Sequence, residues 1–356
     1  MKIAPLMREM RRADAISATL IHTGQHYDDS MAGRFFEDLE LPTPDVALNV
    51  GSGSHAYQTA EVMKGIEPVL RDLRPHLVVV VGDVNSTLAA ALTAVKLGIP
   101  VAHVEAGLRS FDRSMPEEIN RLLTDAISEY LFVSEESGRL NLAREGVDAR
   151  KIHFVGNVMI DSLEQCRPVW ERSTILKELG LTRGQYGVVT LHRPSNVDDP
   201  IALRGLMKAL VELSRRMPLV FPVHPRTRKR LEEMKGGDQL LSCSGVHCVA
   251  PLGYLDFIAL VAGSRLVLTD SGGLQEETTA LNVPCLTLRD ETERPITVSH
   301  GTNRIVGASP DRIFAEASRA LSEPAPEVSR PPLWDGKASA RIVAVLQAAW
   351  EAGSLV

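Results

Sequence analysis

Apolar and polar positions along the chain follow one rhythm almost from end to end. A short run of β-branched and aliphatic residues is followed by a longer stretch with apolar residues every three or four positions, which predicts strand then helix. On this pattern strands are expected at 16–22, 77–83, 101–106, 130–134, 187–192, 219–224, 246–251, 265–270 and 284–289. Runs such as LVVVV (77–81) and RLVLT (265–269) are nearly unbroken in their apolar character, as parallel strands covered on both faces require. Alternating strands and helices predict an α/β fold of doubly wound sheets. The rhythm fails over 163–186, so the expected division is a Rossmann-like domain at 1–168, a second at 169–335 and a closing helix within 336–356. Residues 1–14 read as an amphipathic helix, and the proline-rich 322–332 as a surface linker. In such sheets ligands lie outside the carboxyl ends of the strands, so the residues there matter most, and two sheets are expected to face a cleft.

Composition narrows the picture. With 356 residues and 44% hydrophobic content the chain can fill two cores. Only 4% of residues are aromatic and the net charge is −6, with both signs interspersed. That leaves no basic face for nucleic acid or anionic lipid and no stacking platform. No apolar run approaches the length of a membrane span, and a soluble, cytoplasmic protein is expected. Cys166, Cys243, Cys248 and Cys285 are too scattered for a disulfide framework. Cys243 and Cys248 flank His247, but no second ligand pair lies nearby, so packing rather than metal is expected there.

The strand ends carry the chemistry. In the first half they bear acids: Asp83 closes LVVVVGD, Glu105 follows VAHV, and Glu117 and Glu118 open a helix behind Pro116. A single acid there would be an ordinary cap, whereas three converging on one edge suit proton transfer. The second half bears cations and glycines. TDSGGLQEE (269–277) reads as strand, two glycines and a helix start, where free N–H groups and the helix dipole favour an anion such as pyrophosphate. Glu276 and Glu277, one turn on, could accept hydrogen bonds from ribose hydroxyls. HRPSN (192–196) and HPRTRKR (224–230) set His192 with Arg193 and His224 with Arg226 after strands, a pattern suited to neutralising a diphosphate. Arg289 and Arg294 follow the strand after them, with Arg294 serving either the ligand or a structural ion pair. GSGSHA (51–56) fits a dinucleotide fingerprint, yet its expected acid falls on Asp72 inside a helical stretch, so a nicotinamide cofactor is rejected.

Taken in order, GDVNSTLA (82–89), HVEAGLRS (103–110), MPEEINR (115–121), TLHRPSN (190–196), HPRT (224–227), TDSGGLQEE and RDETERP (289–295) resemble the non-hydrolysing UDP-N-acetylglucosamine 2-epimerases. The resemblance implies a glycosyltransferase-B-like pair of Rossmann-like domains, a homodimer, and no cofactor or metal. It implies interconversion of UDP-GlcNAc and UDP-N-acetylmannosamine by elimination and re-addition of UDP through a 2-acetamidoglucal, in surface polysaccharide synthesis. The catalytic positions it implies are Asp83, Glu105 and Glu117, with His192 assisting at the diphosphate. Substrate contacts then fall on Lys2, Arg109, Arg193, His224, Arg226, Ser271, Gly272, Gly273, Glu277 and Arg294, and an allosteric substrate site on Gln25 and His26.

One feature departs from the pattern. Members of the family begin with a strand leading into Gly-Thr-Arg-Pro-Glu, whereas Met1-Lys2-Ile3-Ala4-Pro5-Leu6 resembles the helix that follows it. The first domain is therefore expected to lack its first strand, leaving unpaired backbone and a gap in its core. Either the true start lies upstream of Met1 or the chain is truncated; the alternative is a first domain that folds in a compromised form. Functional alternatives are a 2-epimerase of a related UDP-sugar, a hydrolysing 2-epimerase, a glycosyltransferase of the same fold and an inactive nucleotide-sugar-binding protein.

Overall fold

A computed structural model of the chain describes residues 1–24, 38–39, 41–234, 236–237, 243–324 and 330–355. The chain divides into two compact units, Met1–Gln165 with Pro332–Val356, and Cys166–Pro331. The division falls a little ahead of the expected 168/169, and the closing helix belongs to the first unit. Gln25 and His26 lie outside the described residues.

In the first unit, β1 (Ile21–His22) and β2 (Val46–Ala47) pair as a small parallel sheet. A second sheet runs β3 (Val78–Val81), β4 (Val101–Val104), β5 (Tyr130–Val133) and β6 (Ile152–Phe154), every neighbouring pair parallel. The strand expected at 16–22 shrinks to two residues, and β2 and β6 were not anticipated because neither carries a long apolar run. β3 ends the larger sheet. Three of its four residues are only half-buried, whereas β4 and β5 are buried throughout.

The alternation of a strand explains how β3 is covered. Val79 and Val81 point into a cluster with Leu6 and Met10 of α1 (Ile3–Arg12) and Ile342 and Leu346 of the C-terminal helix Ala338–Glu351. Val78 and Val80 face Ile66 and Leu70 of α2 (His55–Leu73) and Ala90, Ala91 and Ala94 of α3 (Asn85–Lys96). The glycine-containing segment before α2 ends in Ser54, whose Oγ caps the helix by accepting the Tyr57 N–H at 3.3 Å. Asp72 lies within α2, as the rejection of a dinucleotide fingerprint requires. The remaining helix that bears on function is α4 (Pro116–Ile127).

The second unit is one six-stranded parallel sheet in the order β12-β11-β10-β7-β8-β9. Its strands are β7 (Gly187–Thr190), β8 (Leu219–Pro222), β9 (Val246–Val249), β10 (Leu266–Thr269), β11 (Cys285–Thr287) and β12 (Asn303–Ile305). This is the doubly wound order, which reverses direction between β7 and β10 and so opens a ligand crevice at their carboxyl ends. Leu206, Leu210 and Leu213 of α5 (Pro200–Ser214) and Ile313 and Ala317 of α7 (Pro310–Ser322) pack on one face. α6 (Gly272–Leu281) follows β10. Cys243 and Cys248 pack against that core, and all four cysteines are free. Among the described residues no helix is long and apolar enough to cross a membrane.

The C-terminal helix is fixed to the first unit by one buried acid. Asp161 Oδ1 accepts the Ala338 N–H at 3.0 Å and Oδ2 accepts that of Ser339 at 2.6 Å. Trp334 Nε1 donates to the Ser134 carbonyl at 3.0 Å beside it. Asp161→Ala should cost about 1–3 kcal/mol, because it orphans two buried N–H groups at a helix start. Urea unfolding measures this, and a change below about 0.5 kcal/mol would contradict the assignment.

Candidate active site

In the first unit the three expected acids sit at the end of β3, at the end of β4 and on the first turn of α4. Glu105 is the most constrained of them. It takes a left-handed φ of 72° and is 4% exposed. Its Oε2 accepts from the Lys2 ammonium, while its buried Oε1 has no hydrogen-bond partner among the described residues. An L-residue rarely adopts such a backbone, and a buried unsatisfied carboxylate oxygen is costly, so both features point to a site. Gly82 adjoins it at φ 75°. A Cβ there would lie 3.4 Å from Lys2 Nζ and 3.7 Å from Glu105 Oε2, in a backbone conformation that side chains disfavour.

Asp83 and α4 are joined by Arg121. Its Nη1 lies 2.5 Å from Asp83 Oδ2 and its Nη2 2.6 Å from Glu118 Oε2. Glu118 also accepts the N–H groups of Ser110 and Phe111, at 3.0 and 2.9 Å. Burial alone would raise the Glu118 pKa, but these donors outweigh it and hold the carboxyl below its ordinary range. Asn120 donates to the Asp83 carbonyl at 2.9 Å. Glu117 remains half-buried beside this lattice.

Arg109 departs from expectation. Its side chain is 1% exposed, with Nη1 2.7 Å from Asp125 Oδ2 and Nη2 2.7 Å from Glu145 Oε2. Two carboxylates draw the guanidinium inward, where it braces the turn after Glu105.

In the second unit β7 and β10 bring HRPSN beside TDSGG through one acid. Asp270 is fully buried and accepts the N–H groups of His192 and Arg193, at 3.0 and 2.9 Å, through Oδ2. Its Oδ1 lies 2.9 Å from His192 Nδ1. Burial opposes ionisation of Asp270, yet His192 and these amides hold its pKa down. With Nδ1 turned to Asp270, His192 keeps Nε2 for a ligand, and its side chain is 39% exposed. The His224 ring lies 5.8 Å away, centroid to centroid, and its Nδ1 accepts the Arg226 N–H at 3.2 Å. Burial, then His192 and Arg226, lower the His224 pKa.

Ser271 begins α6 without making a side-chain capping hydrogen bond, so the first turn keeps N–H groups of the kind that bind anions. Space at Gly272 is tight: a Cβ would stand 2.7 Å from Glu293 Oε1 and 3.0 Å from Arg294 Nη1, so these paired side chains would have to shift. Of the two roles open to Arg294, the geometry supports the ion pair, with Nε 2.8 Å from Glu276 Oε1 and Nη1 2.8 Å from Glu293 Oε1. Burial would raise the Glu293 pKa, but Arg294 and Arg289 bring it to about 2. Arg193 Nη2 stands 3.8 Å from the same carboxylate. Arg226 pairs with Asp198 near the surface. Glu277 is buried and accepts from the Tyr254 hydroxyl at 3.1 Å.

A model of the UDP-N-acetylglucosamine 2-epimerase family matches residues 8–347 of the chain. The chain belongs to that family. A UDP-N-acetylglucosamine 2-epimerase of Methanocaldococcus jannaschii is 43% identical over 350 residues, covering 97% of this chain and 95% of the relative. A UDP-2,3-diacetamido-2,3-dideoxy-D-glucuronate 2-epimerase of Pseudomonas aeruginosa is 41% identical, covering 90% and 89%. The crystal structure of the M. jannaschii enzyme in complex with UDP-GlcNAc and UDP superposes with a TM-score of 0.91 at 43% identity, covering 98% of this chain and 96% of that one.

Several residues of these epimerase-family sites escaped the sequence reading. Arg121 lies in MPEEINR, one turn from Glu118, and that spacing was the available signal. Asp270 was legible only as a strand end. His103, Asp125 and Tyr254 act through partners far along the chain, which local spacing cannot reveal.

Burial raises the Glu277 pKa to about 8, opposed by the Tyr254 hydrogen bond and reinforced by Glu276, so the folded chain holds a proton that the unfolded chain releases near 4.5. The folded state therefore binds the extra proton between those values, and its stability falls as pH rises through that window. Glu277→Gln should remove this loss. Thermal unfolding should show the variant gaining at least about 2 °C on the wild type between about pH 6 and about pH 9; parallel curves would contradict it.

Proposed function

We propose that the protein epimerises UDP-N-acetylglucosamine at C2, giving UDP-N-acetylmannosamine, by eliminating UDP and adding it back. The hydrogen on C2 is weakly acidic, and loss of a good leaving group from C1 is what makes its removal feasible. A carboxylate takes the C2 proton, the C1–O bond breaks, its electron pair leaves with UDP and a C1=C2 double bond forms. Protonation of C2 on the opposite face and return of UDP to C1 complete the exchange without net oxidation.

The chemistry divides between the units. The first supplies carboxylates, and Asp83, Glu105 and Glu117 are the proton-transfer groups, with Lys2 paired to Glu105. The second supplies the diphosphate site, through Ser271, Gly272 and Gly273 at the start of α6, with His192, Arg193, His224 and Arg226 beside it and Glu277 on the ribose. The observation that carries this reading is Glu105, held at a positive φ by the fold and left with one buried oxygen unsatisfied. Four free cysteines suit a reducing, cytoplasmic setting. A homodimer belongs to the same reading, and light scattering tests it.

The 41% identical relative named for a diacetamido-glucuronate keeps a second reading in view, the same reaction on a related UDP-sugar. Incubation with each substrate and chromatographic separation of the products discriminates them. UDP-N-acetylmannosamine is expected from UDP-GlcNAc; free N-acetylmannosamine with UDP, or turnover of the diacetamido sugar alone, would overturn the first reading. Asp83→Asn, Glu105→Gln and Glu117→Gln should each lower kcat by roughly 10²–10⁴-fold, the range for a lost acid or base, while calorimetry still detects UDP binding. Full turnover by any of the three would remove that residue from the mechanism.

A further inference from the structure

His103 is the second-last residue of strand β4 and is completely buried. Its Nε2 lies 2.8 Å from the Gly82 carbonyl oxygen, which can only accept, so Nε2 carries a proton. Its Nδ1 lies 2.6 Å from Asp125 Oδ1. Asp125 is itself held as a carboxylate, because Oδ2 accepts the Gly107 N–H at 2.9 Å and stands 2.7 Å from Arg109 Nη1. A carboxylate with no proton to give leaves Nδ1 as the donor. Both ring nitrogens therefore carry protons, and the imidazole is a cation sealed from water.

We propose that His103 is a positioning residue of the epimerase reaction, a doubly protonated imidazolium that clamps the Gly82 carbonyl so that Asp83 and Glu105 keep the geometry of proton transfer. The inference about its role rests on the function proposed above; the protonation state does not. Gly82 immediately precedes Asp83 and, at φ 75°, runs alongside the Lys2–Glu105 pair. A neutral ring has one N–H, so it would abandon either the Gly82 carbonyl or Asp125, both buried.

The charges around the ring fit this assignment. From α4 it meets Asp125, and from the end of its own strand Glu105, which Lys2 at the start of α1 already pairs. From the loop beyond, Arg109 reaches Asp125 and is shared with Glu145 after α4 and β5. Burial pushes the His103 pKa down, but the charge and hydrogen bond of Asp125, the Gly82 carbonyl and Glu105 together raise it above the ordinary value. Its stabilising contribution is thus full below the ordinary histidine range and is lost as pH rises from there through the raised value.

The test uses the full chain labelled with ¹⁵N-histidine. Ring nitrogen–proton correlation spectra at neutral pH, with His103→Asn to assign the signals, should show His103 protonated at both nitrogens. His103→Asn should lower kcat about 10- to 100-fold, as expected for misplaced reacting groups, while KM stays within about threefold. A single-proton tautomer in active wild-type enzyme overturns the inference alone. Unchanged kcat in a folded variant overturns the positioning role. A wild-type chain inactive on UDP-sugars, with a doubly protonated ring, counts instead against the reaction and the role with it. Should His103→Asn fail to fold, the ring is assigned through the His103 backbone of the wild type, and the protonation outcome decides.

Discussion

A carboxylate taken out of water must be met by donors, and both units of this molecule use that requirement to hold their chemistry in place. In the first, Asp125 gathers His103, the Gly107 amide and Arg109. In the second, Asp270 gathers the His192 imidazole and the amides of His192 and Arg193. An unpaired charge at either position would cost several kcal/mol, so the surrounding turns have little freedom to be elsewhere. Each aspartate thereby fixes the strand-end turn that carries the reacting or ligand-binding side chains.

The two sites differ in what they leave unpaired. Around Glu105 the acids are partly compensated: Lys2 meets one oxygen and Arg121 meets Asp83, but Glu105 Oε1 has no hydrogen-bond partner among the described residues. Around the start of α6 the cations are compensated instead. Arg289, Arg193 and Arg294 share Glu293, and Arg294 also meets Glu276. The helix terminus beside them then provides the unshared positive potential. The first unit thus holds a buried carboxylate oxygen without a hydrogen-bond partner among the described residues, and the second an electropositive helix start.

Periodicity made most long strands legible, because unbroken apolar runs such as LVVVV and RLVLT suit parallel strands, although the first is only half-buried. β2, β6 and β12 were missed since two or three residues of ordinary polarity leave no pattern. The strand-end acids could be read from their position after apolar runs, and so could the glycines before α6. What sequence could not reveal was which charges turn inward. Arg109 looks like a ligand contact until Asp125 and Glu145, 16 and 36 positions on, are seen to enclose it. His103 looks like part of a strand until Gly82 and Asp125 fall on its two nitrogens. The closing helix joined the first unit through Asp161, 177 positions before its partner Ala338.

The central claim is that carboxylates of the first unit break and remake the C2–H bond of a UDP-sugar while UDP leaves and returns. Running the reaction on UDP-GlcNAc in deuterated water and following the C2 proton by NMR tests it directly. The account predicts that deuterium enters C2 as the epimer forms, with no accumulation of free sugar. Formation of UDP-N-acetylmannosamine with the original hydrogen retained at C2 would contradict it.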